Sequence, residues 1–454
     1  MLNWSDLHPV DARPAATGPA AAALLAGSLR PGDHVLVAGP HSHGLYTDVA
    51  GQAASVDVLL RSAPDAEEIA EFLSESKGQV FCGSLDRFST DETYDVVVAL
   101  DGLERLVGPD TAKLTWADAL SRLLERLAPS GRLLLGAGNS FGVERLIQPG
   151  ITAALPRNED WARDVADRVP AGLIPLLTAL DQTGLVVSQT YGVFPSLVEA
   201  QVALTSADGL AAVVAARAVA ERNAGPTLMD PYRLVLDASA AGLAIELAPA
   251  WYFVAGVTDL PTALPADVVP AGAGELLEER LLAALRADDQ TTLRREIIAY
   301  ADWLRSGTTP GSPDNVIVDG TSYRLFGAEQ EGDVVAQLAH FARRSLESGS
   351  RQPWPVGGDA RELTARLAAM AGITVTEELS APAEVVRPLG SAEQLVTVAR
   401  LADELADASA RAILFEGTVS GIRRSLPYRV GHAVLNPARV VRRRARRLLR
   451  KVRR

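Results

Sequence analysis

One cysteine, Cys82, stands among 454 residues, so no intramolecular disulfide can form and packing alone must hold the fold. Although 48% of the residues are hydrophobic, charge, Pro or Gly interrupts every apolar stretch before it reaches the eighteen or so residues a membrane-spanning helix needs. Nor does a basic segment followed by an apolar one open the chain at Met1 to Ala20, which makes the cytoplasm the expected location. Acidic residues are missing from Arg423 to Arg454, where thirteen Lys and Arg collect. The rest of the chain carries 31 basic against 56 acidic residues, a net charge of -25. Such a body repels nucleic acid, so contact with any polyanion falls to the basic tail.

The chain is long enough for two hydrophobic cores. Val35 to Ala38, Val56 to Leu60, Gln79 to Cys82, Asp95 to Leu100 and Arg132 to Leu135 read as short buried strands. Helical stretches alternate with them, among them Pro64 to Ser76 and Thr115 to Leu127, whose Leu120, Leu123, Leu124 and Leu127 share a face. That alternation predicts an α/β fold with a doubly wound, mostly parallel sheet. Leu185 to Phe194 and Ala250 to Ala255 are expected as a late antiparallel pair, with helix between Leu197 and Ala241. Asp259 to Gly274, rich in Pro, Ala and Gly, reads as a linker. Beyond it the expected helices are Glu275 to Arg286, Thr291 to Leu304, Asp333 to Glu347, Ala360 to Met370 and Ser391 to Leu414, with a hairpin at Asn315 to Phe326 centred on Asp319-Gly320. The predicted domains are therefore an α/β domain over 1–258, a linker over 259–274, a mainly helical accessory domain over 275–418 and a basic tail over 419–454.

The strand order, the loop Gly39-Pro-His-Ser-His-Gly44 and the turn Ala128-Pro-Ser-Gly131 into the fifth strand together resemble the class I S-adenosylmethionine-dependent methyltransferases, over roughly Leu29 to Ala255. The resemblance implies a Rossmann-like sheet and S-adenosylmethionine as cofactor, bound outside the carboxyl ends of the parallel strands. Carried over residue by residue, it makes Gly39, His41 and Gly44 the cofactor loop, Asp86 the residue facing the adenine amine, and Asp101 part of the methionine side of the pocket. Where that family places an acidic residue after the second strand, this chain has Arg61. An oxygen acceptor would need a base, and His43 and Asp101 are the candidates at that sheet edge. Each residue also has a plain structural reading: Gly39 and Gly44 as turn formers, Asp86 and Asp101 as helix caps, His41 and His43 as loop residues. No partner pattern accompanies the two histidines, so no metal is expected.

Asn139-Ser-Phe-Gly142 and Tyr191-Gly-Val-Phe-Pro195 resemble segments of methyltransferase domains linked to cell-surface polysaccharide assembly, which implies a glycan or lipid-linked glycan as substrate; a glycine turn and a proline-bounded edge strand is the alternative. Asp314 to Gly327 is similar in part to the metal-binding stretch of kinase-like phosphotransferases, but that family's base, second metal ligand and phosphate-gripping Lys are missing, which leaves a hairpin. In the tail, Asn436-Pro437 suits a helix start and places Val441, Ala445, Leu448, Leu449 and Val452 on one face among arginines. Such a helix suits an anionic membrane surface first, nucleic acid or an acidic partner protein second, with a solvated tail as the plain alternative. Two readings result: a methyltransferase acting on a glycan at the cytoplasmic membrane face, or a catalytically inactive methyltransferase-like scaffold.

Overall fold

The computed structural model describes residues 14–74, 76–107, 114–147, 169–207, 209–223, 227–256, 273–307, 310–327, 329–330, 332–347, 352–353, 359–375 and 391–424. Of the expected linker only Ala273 and Gly274 fall among them, and the tail beyond Arg424 lies outside. The chain divides into two compact units, residues 1–354 with 360–394, and residues 355–359 with 395–454.

In the first unit eight strands form one sheet: β1 (His34–Ala38), β2 (Ser55–Leu60), β3 (Val80–Cys82), β4 (Tyr94–Ala99), β5 (Leu127–Gly138), β6 (Val186–Pro195), β7 (Ala200–Leu204) and β8 (Ala250–Gly256). Their order is β3-β2-β1-β4-β5-β8-β6-β7. The first five pair in parallel, while β8 runs antiparallel to both β5 and β6. The parallel core order 3-2-1-4-5, followed by a helical region, is that of the class I methyltransferase fold. Alternating side chains feed two cores: Leu36, Val97, Leu133, Trp251 and Phe253 on one face, Val35, Val37, Val96, Leu134 and Tyr252 on the other. Burial on both faces accounts for strands that read as unbroken apolar runs.

Local chemistry sets the helix starts. Ser62 caps Ala63–Phe72 by accepting from the Asp65 N–H, and Pro64 stands in the first turn. Thr115 and Asp118 form a reciprocal capping box on Trp116–Leu124. Asp230, followed by Pro231, accepts from the N–H groups of Tyr232 and Arg233 to start Pro231–Ala240.

The segment expected to be helical from Leu197 to Ala241 departs from that reading. It contains β7 before the helices Leu210–Arg222 and Pro231–Ala240. Ala200-Gln-Val-Ala-Leu204 is too short for its period to separate strand from helix, and pairing decides it: Gly192 faces Leu204 and Phe194 faces Val202.

The accessory region has a small sheet, β9 (Glu275–Leu276), β10 (Val316–Asp319) and β11 (Ser322–Leu325), in the order β11-β10-β9. The expected hairpin is present: Asp319 faces Ser322, and Gly320 opens the two-residue loop at φ 60°. Helices Leu277–Arg286, Gln290–Arg305, Val334–Glu347 and Ala360–Met370 complete it. Arg344 grips Glu278 through two hydrogen bonds, with both side chains buried. Arg233 meets Glu279 at 2.7 Å, and Arg217 sits 4.4 Å above the Phe326 ring, so this region packs onto the helices that cover the large sheet. Among the described residues no helix is long and apolar enough to cross a membrane.

Candidate functional site

The carboxyl ends of β1 to β4 define the edge where an open α/β sheet binds ligands. Gly39 follows β1 at φ 91°, a conformation that favours glycine. Its carbonyl accepts from His41 Nδ1 at 2.9 Å and from the Tyr46 hydroxyl at 3.3 Å. His41 is 5% exposed, and its Nε2 is buried with no hydrogen-bond partner among the described residues. Loss of water pushes its pKa down to about 4; the bond to Gly39 opposes this and the Arg105 charge adds to it. The imidazole is neutral at pH 7, enclosed, and turned back on its own loop.

A strap from the N-terminal side covers this loop. Ala16 N–H donates to the Pro40 carbonyl at 3.1 Å and the Ala16 carbonyl accepts from Ser42 N–H at 2.9 Å, while Thr17 bonds to Val198 and Ala200. Gly44 lies in the first turn of helix His43–Gln52, and His43 points elsewhere. Its Nε2 is 3.1 Å from Glu68 Oε1 and its ring packs on Phe72 at 4.8 Å, with half the side chain exposed.

Asp101, after β4, is 2% exposed. Arg105 holds it at both oxygens, with Nε to Oδ2 at 2.6 Å, and Arg105 Nη2 also donates to the Pro14 carbonyl at 2.9 Å. Both carboxylate oxygens of Asp101 are thus committed to one guanidinium. The same loop then crosses the sheet edge. Leu106 accepts from Leu85 N–H at 2.8 Å, and Val107 accepts from Arg61 Nη1 at 2.6 Å. Leu85 follows β3, and β1 and β2 stand between β3 and β4. The loop after β4 therefore lies in front of the ends of β1 and β2. A methyl group on Gly39 would stand 3.7 Å from Leu106 Cδ2 and 3.8 Å from Asp101 Cβ, ordinary van der Waals contact.

Asp86 is taken by neighbours: the Ser84 hydroxyl donates to Oδ1 and Arg87 Nε lies 3.5 Å from Oδ2. Gly39 and Asp101 are thus brought together with His41 nearby, while Asp86 and His43 face other partners. Asp57, inside β2, binds the Tyr94 hydroxyl and Gln79 N–H, each at 2.8 Å, and so ties β2 to its surroundings. The residues depart from an S-adenosylmethionine site in two ways: a backbone hydrogen bond from Leu85 to Leu106 links the end of β3 to the loop after β4, and where the resemblance implies a ribose-binding acid stands Arg61, tied to Val107.

Asn139 is also structural in its contacts. Its Nδ2 donates to the carbonyls of Glu246 at 3.0 Å and Ala248 at 2.8 Å, and Oδ1 accepts from Phe141 N–H at 2.9 Å. Glu144 beside it is pushed up to about 7 by burial, against a backbone hydrogen bond and Arg145, which lower it. Tyr191 faces Tyr252 across β6 and β8, both inside the core. Sequence reasoning missed Arg105, Leu106, Tyr46 and the Pro14 to Thr17 strap. Of these only Asp101-x-x-x-Arg105 carried a signal, opposite charges four residues apart.

No protein-family model matches the chain, and no curated protein does either. Among solved structures it is similar to a SAM-dependent methyltransferase from Thiobacillus denitrificans in complex with S-adenosyl-L-homocysteine, at 17% identity over 53% of this chain and 91% of that one, with a TM-score of 0.29. A SAM-dependent methyltransferase from Geobacter sulfurreducens, also in complex with S-adenosyl-L-homocysteine, is similar at 16% identity over 55% and 92%, TM-score 0.28. The N-methyltransferase NodS from Bradyrhizobium japonicum is similar at 16% identity over 37% and 73%, TM-score 0.26.

Proposed function

We propose that this chain is a methyltransferase-fold scaffold, a binding module whose cofactor cleft is closed by its own loop. The observation that carries the reading is the hydrogen bond from Leu85 N–H to the Leu106 carbonyl, which closes the sheet edge between β3 and β4. Arg61 on Val107 and Arg105 on Asp101 hold the same loop down with charged donors, the stronger class of hydrogen bond. In this reading the basic tail from Arg423 to Arg454 holds the scaffold at an anionic membrane surface, each engaged arginine contributing about 1 kcal/mol.

Calorimetric titration with S-adenosylmethionine and S-adenosylhomocysteine tests the closed cleft. No heat at millimolar ligand is expected. Micromolar binding would overturn the scaffold and leave a methyltransferase whose loop lifts, with a glycan or glycan precursor as the acceptor class to search. For the tail, a chain lacking residues 423–454 is expected to stop sedimenting with vesicles rich in phosphatidylserine. Unchanged sedimentation removes the membrane from the proposal.

A further inference from the structure

The helix Ser391–Arg424 is 34 residues long, and from Leu395 onward it belongs to the second unit. Between Leu395 and Val419 eight large apolar side chains are exposed, from 42% at Leu401 to 71% at Ile413 and Leu414. Five of them are spaced in order: with Ala408 and Ala412, Val398, Leu401, Leu405, Phe415 and Val419 follow one another at alternating steps of three and four residues, while Leu395, Ile413 and Leu414 lie off that repeat. That repeat puts a stripe about 33 Å long on one face of the helix, the geometry of a two-helix seam.

From this repeat we infer that two copies of the chain pair through this helix as a parallel coiled coil in register. Val398, Leu405, Ala412 and Val419 occupy the first core position of each heptad, and Leu401, Ala408 and Phe415 the other. The flanking positions of such a pair bring Arg411 of one helix beside Glu416 of its partner, twice by symmetry, and place no like charges opposite one another. Charge also argues against a lipid occupant. From Val398 to Val419 the helix carries Asp403, Glu404, Asp407 and Glu416 against Arg400 and Arg411, a net negative charge that an anionic bilayer repels. Helices that lie on such bilayers are rich in Lys and Arg on the polar face. The seam is thus a surface for a second copy.

The test uses the full chain at micromolar to hundred-micromolar concentration, by sedimentation equilibrium with and without vesicles. Wild-type protein is expected to have twice the monomer mass. Leu405→Glu with Phe415→Glu should halve it, whereas Ile413→Glu, equally exposed but off the seam, should leave the dimer intact; the circular dichroism of all three should agree. A Leu405→Cys variant should cross-link to itself on mild oxidation, since only a parallel, in-register pair places residue 405 opposite its own copy. Wild-type protein that stays monomeric overturns the inference, as does unchanged mass in the double glutamate variant. Loss of vesicle binding without a change in mass would assign the stripe to lipid and overturn it equally.

Discussion

Arg61 donates Nη1 to the carbonyl of Val107 at 2.6 Å, so a residue just past β2 grips the loop that follows β4. A cofactor lying along the edge of this sheet would have to pass between those two points. Arg61→Ala is expected to speed amide exchange at Leu85, whose N–H is held by the carbonyl next in sequence to Val107, and to lower stability by about 1 kcal/mol, since the arginine is half-buried. Hydrogen exchange followed by mass spectrometry reads this directly. A Leu85 amide unprotected in the wild-type protein would show that the loop does not close.

Asp101 and Arg105 form the most deeply buried ion pair at this edge, with side chains 1% and 6% exposed. Removing one charge strands the other, so Asp101→Asn should cost about 3 to 5 kcal/mol in urea unfolding. The apolar double variant Asp101→Leu with Arg105→Met should recover most of that loss, because it buries no charge. Equal loss in both variants would mean that shape, and not charge, fixes the loop.

Two buried groups titrate with opposite signs. His41 has a folded pKa of about 4 against 6.5 in the open chain, so as pH falls from 6.5 to 4 only the unfolded state gains the proton. Stability therefore falls, by on the order of 3 kcal/mol. Glu144 has a folded pKa of about 7 against 4.5, so as pH falls from 7 to 4.5 the folded state takes the proton first. Stability then rises by a similar amount. Their contributions largely cancel between pH 4.5 and 6.5. His41→Gln should gain stability as the pH drops through that window and Glu144→Gln should lose it, measured as urea midpoints at half-unit intervals. Parallel profiles for the two variants would refute the assignment.

Asn139 is expected to act on stability. Asn139→Ala removes three hydrogen bonds and leaves the Glu246 and Ala248 carbonyls without that donor, a cost of about 2 to 4 kcal/mol. Chemical denaturation measures it. A change of no more than a few tenths would return the segment to a ligand-binding role.

The parallel strands were legible because burial on both faces demands unbroken apolar runs, as in Asp95-Val-Val-Val-Ala-Leu100, and the hairpin because Asp319-Gly320 carries its own turn chemistry. β7 was not, since five residues with two alanines fit either period until Gly192 to Phe194 pair with them. The site was legible only as far as Gly39 and Asp101. Its closure depends on Leu106 meeting Leu85 and on Ala16 meeting Pro40, contacts that no local spacing encodes. The helix expected to end at Leu414 runs on to Arg424 through Gly417 and Gly421, residues whose helix cost is about 1 kcal/mol each and does not by itself end a long helix.

β8 lies between β5 and β6, with Leu133 facing Ala255 and Tyr191 facing Tyr252. During synthesis, then, β5 emerges more than a hundred residues before the strand that covers it. Until then the nascent chain carries an open apolar edge, the kind of surface that recruits wrong partners. Truncated chains that stop short of Ala250 should aggregate, and the half-made sheet should be a client for chaperones that hold exposed strands.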